Sequence, residues 1–231
     1  MNKTDFEENF APLEDEEEQV DTIQFVMKKY PFDGGMSGDM YDQYHPDGVK
    51  GAKMHIDIRG PYGLGLGIDP KSKGHFVIIG GGTGILPFLD LFFMLLKKIT
   101  YSYFEAQNKE VARKFKSKNY SRIWDHDFSV TFYGAFRNDD DFYGKEVIDN
   151  LYKVCKETGR TDFFNGILKI SKTNTVYNMP MTKERFTTKF FAGKVSNDTE
   201  RFLICGPPRM MEGTPIALEE NGIDPDKIDL I

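Results

Sequence analysis

The run Gly80-Gly81-Gly82-Thr83-Gly84-Ile85-Leu86-Pro87 carries the plainest chemistry in this chain. Glycines let the backbone approach an anion closely, and the free N–H groups of a first helical turn, with the helix dipole, favour negative charge. Four glycines in five positions exceed what a ligand-free tight turn needs, so a phosphate-binding turn is the preferred reading. Two common phosphate loops are excluded. No Lys-Ser or Lys-Thr pair follows Gly84, as the GxxxxGK[ST] loop requires. The GxGxxG fingerprint fails because Ile85 or Pro87 stands where its third glycine belongs.

Other candidate chemistry is weaker. Asp139-Asp140-Asp141 offers three adjacent carboxylates without histidine or spaced ligands, which is more often a solvated turn than a metal site. Cys155 and Cys205, the two cysteines, make no disulfide framework and suggest an intracellular, reducing compartment, cytoplasmic or organellar.

The glycine run needs elements to hold it. Before it, Phe76-Val77-Ile78-Ile79 reads as a buried parallel strand; after it, residues 88–96 are apolar on nearly every side and read as a buried helix. Pro87 then falls at the helix start, where its missing N–H costs nothing. From Gly74 onward the pattern is one of strand–helix units, the signature of a parallel α/β sheet. The first helix runs on to Tyr101, Tyr103 and Phe104. Residues 105–127 then form a Lys- and Arg-rich extension or insertion, whose Trp124 is expected to cover its own helix. A second strand is expected over 128–133 and a helix over 145–157, with Val147, Ile148, Leu151, Val154 and Cys155 inward. A third strand spans 166–170, and Thr182 is expected to cap a helix over 183–191. The fourth strand, 201–204, ends at Cys205-Gly206-Pro207-Pro208; a helix over 209–220 and a last strand over 227–231 follow.

Upstream, residues 1–20 are polar and acidic, and are assigned no function. Residues 22–30 and 53–59 alternate apolar and polar side chains, so 21–73 reads as part of an antiparallel β module. The 39% hydrophobic and 14% aromatic content is enough for a real core. A formal charge of −6 argues against a nucleic-acid partner. The longest apolar run, 85–96, is well short of the ~20 residues that span a bilayer, and no hydrophobic targeting core is visible at the N-terminus.

Two glycine turns at strand ends, with α/β units between them, resemble the ferredoxin–NADP reductase superfamily, in particular its cytochrome-b5 reductase and nitrate reductase branch. In that family a GGGTG(I/V)xP loop holds the pyrophosphate of NAD(P)H and a CGPP turn sits beside the nicotinamide. The resemblance therefore implies cofactor contacts from Gly81, Gly82, Thr83, Gly84 and Pro87, and from Gly206, Pro207 and Pro208. It places Cys205 near the nicotinamide carbon as the candidate catalytic residue, with a small buried strand-end residue as the alternative. Ser171-Lys172 follows the third strand where NADP-using relatives carry a Ser-Arg pair for the 2′-phosphate. Ile58-Arg59-Gly60-Pro61-Tyr62-Gly63 resembles the segment closing the family's flavin barrel. Gly34, Met36 and Ser37 match three positions of its second pyrophosphate motif. The implied activity is hydride transfer from NAD(P)H to FAD, with electrons passed on to a haem or iron–sulfur acceptor.

The chain also departs from the family pattern. Gly35 replaces a basic residue, Glu8 stands where an arginine should face phosphate, Ala11 replaces a hydroxyl residue, and Ile231 replaces a terminal aromatic. A glutamate there repels what an arginine attracts. Two or three antiparallel strands would also leave open sheet edges, which proteins normally cover. A protein partner or another segment is thus expected to complete or cover the barrel, in a subunit or C-terminal piece of a larger system. Two functions follow from the sequence: a flavin-dependent NAD(P)H oxidoreductase, or a catalytically silent relative with a structural or nucleotide-sensing role.

Overall fold

In a computed structural model of the chain, the residues described are 65–107, 124 and 127–231. The acidic segment, the expected strands over 22–30 and 53–59, the barrel-closing segment, and the candidate contacts Gly34, Met36 and Ser37 lie outside the described residues, as does most of the 105–127 insertion. The chain divides into two units, Met1–Gly63 and Leu64–Ile231, and the fold below is that of the second.

Five parallel strands form its sheet: β1 (Gly74–Gly81), β2 (Phe128–Asn138), β3 (Phe164–Lys172), β4 (Thr199–Cys205) and β5 (Ile228–Leu230), in the spatial order β3-β2-β1-β4-β5. Parallel strands need crossovers, and here helices supply them. α1 (Leu89–Gln107) joins β1 to β2, and α2 (Lys145–Glu157) joins β2 to β3. The single turn α3 (Thr188–Phe191) precedes β4, and α4 (Pro208–Glu219) precedes β5.

Period-two alternation divides the strand side chains between two cores. On one face, Phe92 of α1 meets Phe132 of β2 and Phe164 of β3 edge-on, at centroid distances of 5.0 and 5.9 Å. Ile148, Leu151 and Cys155 of α2 are buried. On the other face, Val77, Ile79, Phe202 and Ile204 pack with Phe190 and Phe191 of α3 and Ala217 and Leu218 of α4. Tyr133 sits in that second cluster with Phe186, Phe190 and Phe191 edge-on at 5.6 to 5.8 Å. Each fully buried ring of this kind contributes roughly 2–3 kcal/mol of transfer free energy. The helices thus lie on both faces of a parallel sheet, as the sequence pattern predicts.

Several expectations need correction. The helix expected over 183–191 shrinks to Thr188–Phe191, with Thr187 at its N-cap. The chain before it instead runs beside β3: Leu168 donates to the Pro180 carbonyl at 2.8 Å, and Thr182 donates to the Leu168 carbonyl at 2.8 Å. Met181 forms a parallel bridge with Leu168, which covers the open edge of the sheet. The Thr182 hydroxyl accepts from Glu184 N in a turn and not in a helix cap. Pro87 is not at an α-helical start either; it lies within a 3-10 segment, Gly82–Phe88, that runs directly into α1 at Leu89. On α2, Tyr152 is buried while Val147 and Val154 are half-buried. Trp124 packs at the entry to the sheet, where it stacks on Phe128 at 4.9 Å and donates its indole N–H to the Asp69 carbonyl.

Candidate functional site

The strand order creates the site. From β1 the chain moves outward through β2 to β3, then returns to the other side of β1 to form β4 and β5. α1 leaves β1 toward one face, and α4 leaves β4 toward the other. Between two parallel strands whose connections diverge in this way, a crevice opens at the carboxyl ends. Both glycine turns sit there. Gly80 and Cys205, 125 positions apart in the numbering, are direct register partners on β1 and β4.

The glycines of the first turn have different jobs. Gly82 adopts φ +53° and a Cβ added to it would meet nothing within 4 Å. It therefore combines a left-handed backbone with open space, the combination a ligand approaching the backbone requires. Gly84 is buried, and its added Cβ would lie 2.5 Å from the Gly206 amide nitrogen and closer still to the Cys205 carbonyl. It lets the two turns touch backbone to backbone. Thr83 is half-buried and Pro87 is exposed. The 3-10 segment follows the carboxyl end of β1 directly and has no side-chain cap, so its first N–H groups have no partner inside the helix.

Met210 was not singled out by sequence reasoning. Its side chain lies beneath both turns: an added Cβ on Gly81 would fall 2.7 Å from its Cε, and one on Gly206 would fall 2.6 Å from its Sδ. Its backbone N–H donates to the Pro207 carbonyl at 2.8 Å, closing the first turn of α4. The available signal was its place on the expected helix, two residues beyond Pro208, where a flexible thioether fills an irregular gap.

Cys205 ends β4 half-buried, with Gly206 half-buried and Pro207 and Pro208 exposed. Burial pushes its thiol pKa above the ordinary value. At neutral pH it is a neutral thiol and a poor nucleophile. Cys155, buried in α2, has its thiol pushed up to about 12, chiefly by burial. Both cysteines are free thiols.

Ser171 and Lys172 are the last two residues of β3, rather than a loop after it, and both are exposed. They line a cleft of about 1060 Å³ at the carboxyl end of that strand, with Lys169, Lys183 and Thr173. Lys169 donates to the Ser171 hydroxyl at 3.1 Å. Asp139 also lines it. The triple aspartate is more than a solvated turn, because Asp139 accepts hydrogen bonds from Thr173, Thr175 and Tyr177. Those bonds, led by Thr173, hold its carboxyl below the usual carboxylate range. Among the described residues, no group of three or more His, Cys, Asp or Glu side chains could hold a metal ion, and no helix is long and apolar enough to cross a membrane.

A doubly covered parallel sheet with glycine turns at its switch point defines a dinucleotide-binding α/β domain. The family model of the oxidoreductase NAD-binding domain matches residues 78–215, and the chain belongs to that family. No curated protein sequence matches it closely enough to count as a relative. Among solved structures, it is similar to the cytochrome b5 reductase domain of Ulva prolifera nitrate reductase, at 14% identity and TM-score 0.49, over 81% of this chain and 67% of that one. It is also similar to the CS-b5R domains of human Ncb5or in the NAD+ form, at 12% identity and TM-score 0.49, over 88% of this chain and 47% of that one. The ferredoxin reductase in carbazole 1,9a-dioxygenase gives 16% identity and TM-score 0.38, over 70% and 38%. The chain thus spans less than half of the last two.

Proposed function

We propose that this chain binds NADPH across the β1/β4 crevice and presents its nicotinamide for hydride transfer to a flavin, as the nucleotide half of a cytochrome-b5 reductase-like enzyme. The observation that carries the reading is the pairing of Gly80 with Cys205, which brings two distant turns to one crevice. The open, left-handed Gly82 and the N–H groups after it would take the pyrophosphate. Cys205 and the turn at Gly206 would bound the nicotinamide end. When bound, the dihydronicotinamide supplies the hydride, and the protein supplies orientation and exclusion of water.

The choice of NADPH over NADH rests on Ser171 and Lys172, joined at the cleft by Lys169 and Lys183. Three ammonium groups suit a doubly charged 2′-phosphate better than an uncharged ribose diol. FAD, a haem or iron–sulfur acceptor, a partner completing the barrel, and a reducing intracellular compartment belong to this proposal through the family resemblance and the two free cysteines. The second reading, a silent nucleotide-binding subunit, is favoured by Gly35 and Glu8 standing where basic residues face phosphate in the family.

An absorbance spectrum of the native protein, purified with any partner it retains, before and after NADPH, separates the two. The enzyme reading predicts a flavin band near one per chain that NADPH bleaches anaerobically. A colourless protein that still binds NADPH would overturn it in favour of the silent subunit.

A further inference from the structure

The cleft at the end of β3 holds one carboxylate among its lysines, and that carboxylate accepts from three hydroxyls. The Thr173 hydroxyl lies 2.6 and 2.8 Å from the two Asp139 oxygens, the Tyr177 hydroxyl donates at 2.7 Å, and the Thr175 hydroxyl at 3.1 Å. Asp139 stands at the end of β2, and all three donors follow β3. The aspartate therefore ties the chain beyond Lys172 to the neighbouring strand. A second tie lies outside the cleft: Asp149 of α2 accepts from the Asn178 backbone and side chain at 2.7 and 2.6 Å, and from Met179 N at 3.1 Å. Between these anchors, residues 173–179 contain no helix or strand. Two carboxylates tie them down, beside the buried Met179 and the Tyr177 ring against Phe142.

We propose that Asp139 is a positioning residue for nucleotide selectivity, fixing the Thr173–Tyr177 wall so that Lys172 and its neighbours face a 2′-phosphate. This rests on the NADPH reading above and says how that selectivity is built. An acidic residue at the end of a strand near the adenosine ribose ordinarily accepts the 2′-hydroxyl and favours NAD. Asp139 instead accepts from three hydroxyls of its own chain, which compete with a ribose diol for its oxygens. Its low carboxyl pKa fits a group kept ionised by its donors.

The sign of one substitution separates positioning from simple charge. Were Asp139 only a negative charge beside the lysines, Asp139→Asn would remove repulsion and tighten NADP+ binding. Positioning predicts the reverse, because the amide keeps one acceptor oxygen with two lone pairs and puts a donor NH2 in place of the other, so it cannot accept from the Thr173, Thr175 and Tyr177 hydroxyls together. Calorimetric titration of the full chain with NADP+ and with NAD+ reads both. In Asp139→Asn, NADP+ affinity is expected to fall about tenfold, with NAD+ affinity changing less than about threefold; coupling of neighbouring residues commonly has this size. Tyr177→Phe, which changes no charge, is expected to lower NADP+ affinity in the same direction, and the double variant to add little. Unchanged or tighter NADP+ binding by Asp139→Asn would overturn the proposal. Should that variant fail to fold, unchanged selectivity in Tyr177→Phe would overturn it instead. A wild-type chain with no preference for NADP+ over NAD+ would overturn the NADPH reading and this inference together.

Discussion

Gly82→Val is expected to lower affinity for NAD(P)H by about 100-fold or more while leaving the domain folded. Nothing in the protein opposes a side chain at this position, since an added Cβ would meet no atom within 4 Å. The objection comes from the backbone and from the ligand. At φ +53° a residue with a Cβ is strained, by roughly 1–2 kcal/mol, and a β-branched one is a genuine outlier. The turn relieves that strain by rotating, which swings the following N–H groups away from the crevice. Losing two hydrogen bonds to a charged phosphate, each worth about 1.5–3 kcal/mol, is enough for the expected effect, because every 1.4 kcal/mol is about tenfold. Calorimetric titration with NADPH checks the affinity, and a thermal melt checks the fold. Gly82→Ala should show a smaller loss of the same kind. Equal affinity in wild type and Gly82→Val would remove the phosphate role of this turn.

Gly84→Ala should act on the other quantity. Its Cβ would lie 2.5 Å from the Gly206 nitrogen, and backbone cannot step aside as the tip of a flexible side chain can. Either β1 and β4 lose register at Gly80 and Cys205, or the 3-10 turn lifts off the sheet. Both disturb the buried Ile85 and Phe88 that the turn carries. Overpacking of this kind typically costs 1–3 kcal/mol, and strained backbone adds to it. About 3 kcal/mol corresponds to roughly 6–12 °C in Tm for a chain of this size, at 2–4 °C for each kcal/mol. A differential scanning measurement that finds Tm unchanged would mean the two turns do not pack as described. Two glycines two positions apart thus predict separable phenotypes, lost binding at Gly82 and lost stability at Gly84.

Much of the α/β unit was legible because its signals are local. The apolar run at Phe76 to Ile79 is a strand, and the helix expected over 145–157 is found at Lys145–Glu157. Apolar spacing and the turn residues on either side state such elements directly. The meeting of Gly80 with Cys205 was implied only by resemblance, since strand order is a property of the whole sheet.

The misses have physical causes as well. The 3-10 geometry of Gly82–Phe88 differs from an α-helix only in closing i to i+3 bonds, a choice that sequence spacing does not record. Thr182 is a good capping residue by type, but pairing of Met181 and Thr182 with Leu168 claimed the backbone first. Tertiary pairing overrode local preference. Asp139 was read with its two acidic neighbours as solvated, because its donors, Thr173, Thr175 and Tyr177, lie 34 to 38 positions downstream. A contact at that separation leaves no mark in a local window.

The central claim is that the turns at Gly80 and Cys205 together make one nicotinamide nucleotide site. Its most direct measurement is a calorimetric titration of the purified full chain with NADPH. Saturable binding of one nucleotide per chain, with Kd in or below the roughly 1 μM–1 mM range of enzyme substrates, is the predicted result. Absence of saturable binding at millimolar NADPH and NADH, in a chain whose melting curve shows it folded, would contradict it.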